Sequence, residues 1–80
     1  RLILCEDDLL GAQLASRMLH GAGYDVRVVE NGKRLLELLE NADTEICDAI
    51  IMDVMMPEVG GIEATKIIRN SPKWFNSVPI

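Results

Sequence analysis

Hydrophobic positions fall into short runs and spaced stripes that alternate along the chain. Leu2-Ile3-Leu4-Cys5 is an apolar run that ends in Glu6-Asp7-Asp8, the pattern of a buried strand running into an acidic edge. Asp8 or a neighbour is placed to cap a following helix. There Leu10, Leu14 and Met18, then Ala15 and Leu19, recur at i, i+4 spacing and predict one apolar stripe. Gly21-Ala22-Gly23 ends that helix. Val26-Arg27-Val28-Val29 reads as a second strand and Asn31-Gly32 as a turn. From Lys33 to Glu40 a second helix is predicted, its Leu35, Leu36, Leu38 and Leu39 all core-facing. After a polar connection, Ala49-Ile50-Ile51-Met52 is apolar on both faces, as in the middle of a parallel sheet, and ends at Asp53. A loop over 54–60 leads to a third helix over Gly61–Arg69 and a second loop to Ser77. Val78-Pro79-Ile80 then reads as the start of a fourth strand.

The order β-α-β-α-β-α-β predicts an α/β fold with a doubly wound parallel sheet and right-handed connections. At 80 residues this is at most one domain. Acidic residues number 13 against 8 basic, a net charge of -5. That speaks against direct nucleic-acid contact, which needs clustered Lys and Arg. No run approaches the roughly 20 apolar residues of a membrane span, and the start lacks the apolar core of a signal peptide. A cytoplasmic setting is expected. If the first and third strands end level, Cys5 lies beside Ile51 and Cys47 sits roughly 13 Å away. A disulfide needs Cα atoms within about 7 Å, so both cysteines are expected to be buried, unbridged thiols.

Two strands end in acids. In open α/β sheets, ligands bind beyond the carboxyl ends of the strands, where the winding reverses. Either acidic group alone reads as a helix cap or a solvated loop. Together on one edge they read as a site. Carboxylates so close repel one another unless neutralised, and a hard divalent cation does this, magnesium suiting few carboxylates plus water and phosphate. An aspartate there can act as nucleophile and form an aspartyl phosphate. Other residues carry no such reading. His20 is a surface or C-cap residue, Lys33-Arg34 a solvated helix start, Met52 core, and Met55 and Met56 loop packing. Trp74-Phe75 closes the bottom of the sheet or sits partly exposed.

The segment Arg1–Asp8 resembles the first strand and acidic pair of response-regulator receiver domains. Asp53, then Met56-Pro57, then Gly61 eight residues after the aspartate, resembles their phosphorylation loop. Gly23-Tyr24 and Asn31-Gly32 fit the same pattern. The resemblance implies a flavodoxin-like sheet of strand order 2-1-3-4-5, truncated at the start of strand 4, so that residues 1–80 form the N-terminal part of the domain. It implies phosphoryl acceptance from phosphohistidine onto Asp53 with Mg2+. The metal ligands implied are Glu6 (through water), Asp7, Asp53 and the backbone carbonyl of Met55. The partners implied are a histidine kinase or histidine phosphotransfer domain, with an output domain or dimer partner. The Gly61–Thr65 and Ile67–Arg69 segments look like receivers of hybrid histidine kinases, which puts the domain in the cytoplasm or in the cytoplasmic part of a membrane-bound kinase. The receiver's Ser or Thr on strand four and Lys on strand five have no counterpart here. A phosphatase of the haloacid dehalogenase type is the enzymatic alternative, but it needs a second Asp where this chain has Met55. A receiver-like binding module without phosphorylation is the third.

Overall fold

A computed structural model describes residues 1–53 and 59–80 of the chain. The element order is β1 (Leu2–Cys5), α1 (Leu9–Gly21), β2 (Val26–Val29), α2 (Gly32–Glu40), β3 (Ala49–Met52), α3 (Gly61–Arg69) and a 3-10 turn η1 (Trp74–Ser77). The three strands form a parallel sheet in the order β2-β1-β3. This is the 2-1-3 portion of the expected flavodoxin-like order.

β1 is the central strand because its residues are apolar on both faces. Ile3, Leu4 and Cys5 are all buried. Ile3 and Cys5 join Ile50 of β3, Leu35 and Leu39 of α2, Ile68 of α3, and Phe75 in the main core. Leu4 and Ala12 are buried outside that cluster, on the face that α1 covers. Leu4 pairs with Ile51, and Cys5 with Met52. The expected pairing of Cys5 with Ile51 is therefore off by one residue, because β1 and β3 do not end where the acids alone suggested. Cys47 thus lies one residue further back than expected. Both cysteines are buried, and no disulfide joins them. On the other side of β3 the Ile50 N–H donates to the Pro79 carbonyl at 2.8 Å. Residues 78–80 lie beside β3 without adopting strand pairing.

The helices depart from the sequence reading in two instructive ways. In α1 the Leu10, Leu14 and Met18 stripe faces outward, with 65%, 55% and 76% exposure. The side that meets β1 and β2 is Ala12, Ala15 and Leu19 instead. Small residues let the helix axis approach the sheet, and the larger stripe lies nearly opposite at 100° per residue. In α2, Asn31 is a cap rather than part of a turn. It is extended (φ −162°, ψ 172°) and its side chain accepts the Arg34 N–H at 2.8 Å. The helix therefore starts one residue earlier than predicted. Leu35 and Leu39 are fully buried, while Leu36 and Leu38 flank the core half-buried.

α1 stops at Gly21 because Gly23 takes φ +97°, a conformation that favours glycine. His20 is exposed in the last turn, as expected. Phe75 is fully buried, and Trp74 meets it edge-on with ring centroids 5.5 Å apart. The Trp74 Nε1–H donates to the Ala42 carbonyl at 3.1 Å, which ties η1 to the chain leaving α2. Trp74 also borders Glu45 and Asp48, before β3 begins. The four residues of β3 put roughly 13 Å between that end and Asp53. Trp74 emission should therefore change little when magnesium is added. Strong quenching in a fluorescence titration, with no change in oligomeric state, would contradict this placement.

Candidate metal and phosphoryl site

The site is made by strand ends. Parallel pairing of β1 with β3 brings the residues after Cys5 and after Met52 to the same edge. Two backbone bonds extend the sheet into it: Asp53 N–H donates to the Cys5 carbonyl, and Glu6 N–H to the Val29 carbonyl, both at 3.0 Å. Glu6, Asp7 and Asp53 each present a carboxylate oxygen, and these oxygens lie within 4.8 Å of one another. Glu6 and Asp53 are half-buried and Asp7 is exposed.

Asp8 stands apart from this group. Its Oδ2 accepts the Gly11 N–H at 3.3 Å, and its backbone is extended, so it is the N-cap of α1. Such a cap contributes about 1 kcal/mol. The Asp8 N–H also donates to Glu6 Oε1 at 3.1 Å. Residue 8 therefore has two tasks, its side chain ending the helix and its amide orienting Glu6. Nothing in the residue spacing signals the second.

The electrostatics match a gathering of like charges. The Asp8 N–H is the largest single influence on the Glu6 carboxyl and lowers its pKa. Partial burial, Asp53 and Asp7 together outweigh it, and the pKa is raised from the ordinary value. Beneath the acids, burial pushes the Cys5 thiol up to about 11, with Asp53, Glu6 and Asp7 adding to the rise. Unit charges 4.8 Å apart repel by about 1 kcal/mol per pair in water and about 3.5 kcal/mol at an effective dielectric of 20. A divalent cation offsets repulsion of that size. Three carboxylate oxygens at one solvent-facing edge are a hard donor set that suits Mg2+, so the residues present fit the ion.

Three of the four expected metal ligands, Glu6, Asp7 and Asp53, are thus brought together. Met55, whose carbonyl is the fourth, lies outside the described residues, as do Met56 and Pro57. Met52 is half-buried and packs against the core. Lys33 and Arg34 are exposed.

This is an open, flavodoxin-like α/β sheet with an acidic site beyond the carboxyl ends of its strands. The chain belongs to the response regulator receiver domain family, which matches residues 2–80. It is 32% identical, over its whole length, to part of the CAI-1 autoinducer sensor kinase/phosphatase CqsS of Vibrio cholerae. It is 38% identical over its whole length to part of the transcriptional regulatory protein YrkP of Bacillus subtilis. The chain spans 11% and 31% of those two proteins. Among solved structures, the receiver domain of a signal transduction histidine kinase from Syntrophus aciditrophicus superposes with a TM-score of 0.87 at 27% identity. That match covers 98% of this chain and 56% of the other. The response regulator TrrA of Thermotoga maritima, solved in complex with Mg(2+)-BeF, gives 0.78 at 28% identity, covering 86% and 57%.

Proposed function

We propose that this chain is the phosphoacceptor part of a receiver domain in two-component signalling, with Asp53 taking a phosphoryl group from phosphohistidine. The observation that carries the reading is the convergence of Glu6, Asp7 and Asp53 on one sheet edge. In the transfer, an Asp53 carboxylate oxygen attacks phosphorus and the P–N bond to the donor imidazole breaks. The bonding pair stays on that nitrogen, which takes up a proton, leaving neutral histidine and an aspartyl phosphate.

The chain's own residues prepare this step. The Cys5 carbonyl fixes the Asp53 backbone at the end of β3. The Asp8 amide holds Glu6 toward the cluster. Asp7, Glu6, Asp53 and the Met55 carbonyl would hold a magnesium ion. When bound, that ion neutralises the carboxylates and the incoming phosphoryl oxygens.

Residues 1–80 are placed as the N-terminal part of the domain, from β1 to the approach of a fourth strand. Histidine kinases or histidine phosphotransfer domains are the proposed donors, with an output domain or a second copy as recipient of the signal. A cytoplasmic location is proposed with them. No helix among the described residues is long and apolar enough to cross a membrane. Family membership supports this reading over a haloacid dehalogenase-type phosphatase, and the retained acids support it over a module without phosphorylation. Acetyl phosphate with magnesium tests it by mass spectrometry. One added phosphoryl group, lost when EDTA replaces magnesium, is expected. No adduct, or an adduct indifferent to EDTA, contradicts the proposal.

A further inference from the structure

Gly32 opens α2 and is buried against Val59. A Cβ at position 32 would overlap the Val59 carbonyl oxygen and lie 3.2 Å from both the carbonyl carbon and the Cβ of Val59. The obstacle is backbone, so no change of side-chain rotamer relieves it. Glycine is needed here for space.

Each side of this contact is anchored. On the α2 side, Asn31 accepts the Arg34 N–H through its side chain and the Leu35 N–H through its carbonyl. Leu35 and Leu39 then fix the helix in the core. On the other side, Val59 precedes Gly60, the N-cap of α3, whose carbonyl accepts the Ala64 N–H at 2.9 Å. α2 and α3 pack against each other. The chain that leaves Asp53 is thereby tied at its start to the Cys5 carbonyl, and it rejoins the helical layer on Gly32.

We propose that Gly32 is a positioning residue for the phosphoryl site. Its bare Cα is the seat that sets where the segment carrying Met55 returns to the helices, and through that segment it acts on the metal site. This rests on the function proposed above. Gly21 is the matched control: it is also helical, and a Cβ added there meets nothing within 4 Å.

The test is calorimetric titration of the protein with magnesium chloride, for wild type, Gly32→Ala and Gly21→Ala, each verified as folded by circular dichroism. Displacing a group that supports metal ligands typically weakens affinity by about 10-fold or more. That loss is expected for Gly32→Ala and not for Gly21→Ala. A merely structural role would lower the melting temperature and leave the dissociation constant of the folded protein unchanged, and that result overturns the proposal. If Gly32→Ala does not fold, Val59→Gly decides. It leaves the seat open but removes the side chain beside it, so weakened magnesium binding supports the role and wild-type affinity overturns it. Wild-type protein that takes up no phosphoryl group and binds no magnesium overturns both this role and the function beneath it. Normal wild-type behaviour with an unaffected Gly32→Ala overturns the role alone.

Discussion

Asp53→Asn should reduce acyl-phosphate formation from acetyl phosphate and magnesium to background. The amide has no anionic oxygen to attack phosphorus, and among the described residues Asp53 is the one acid of the cluster that ends β3. The same change removes one of three neighbouring negative charges. The metal-free variant should therefore be more stable than the wild type, by on the order of 1 kcal/mol if repulsion is near its value in water. Intact-mass spectrometry reads the first effect and thermal unfolding in EDTA the second. Undiminished phosphorylation of Asp53→Asn would remove Asp53 from its role.

Asp7→Asn and Asp8→Asn, although adjacent in sequence, should differ sharply in magnesium affinity. Asp7 supplies one of the three clustered carboxylate oxygens, and affinity for a hard cation follows the charge of its ligands. A loss of about 10-fold or more, roughly 1.4 kcal/mol or more, is expected on neutralising it. The Asp8 carboxylate instead caps α1 through Gly11, and asparagine caps about as well as aspartate. Asp8→Asn keeps the backbone amide that orients Glu6. Its magnesium affinity should stay within a few-fold of wild type. Equal losses in a magnesium titration would mean that Asp8 leaves its cap to join the site.

The parts of this molecule legible in the sequence are those set by local chemistry. Ile3, Leu4 and Cys5 mark a strand buried on both faces, and the acids that follow mark its functional end. Asp8 is recognisable as a cap because a short acidic side chain precedes an apolar helix. The α1 face was not legible, because two stripes at helical spacing compete: Ala12, Ala15 and Leu19 against Leu10, Leu14 and Met18. Hydrophobicity favours the second, while close approach to the sheet selects the first. Asn31-Gly32 misleads for a similar reason, since asparagine suits a turn and a helix cap equally well. The register of β1 against β3 and the seat of Val59 on Gly32 are contacts between distant segments. Spacing along the chain holds no record of them.

The central claim is that the strand-end acid Asp53, and no other, takes the phosphoryl group. The direct measurement is to react the protein with acetyl phosphate and magnesium, reduce the acyl phosphate with borohydride, and map the product by peptide mass spectrometry. Reduction should leave homoserine at position 53, with Glu6, Asp7 and Asp8 unchanged. Homoserine at position 7 or 8, or a reduced product at Glu6, would contradict the account.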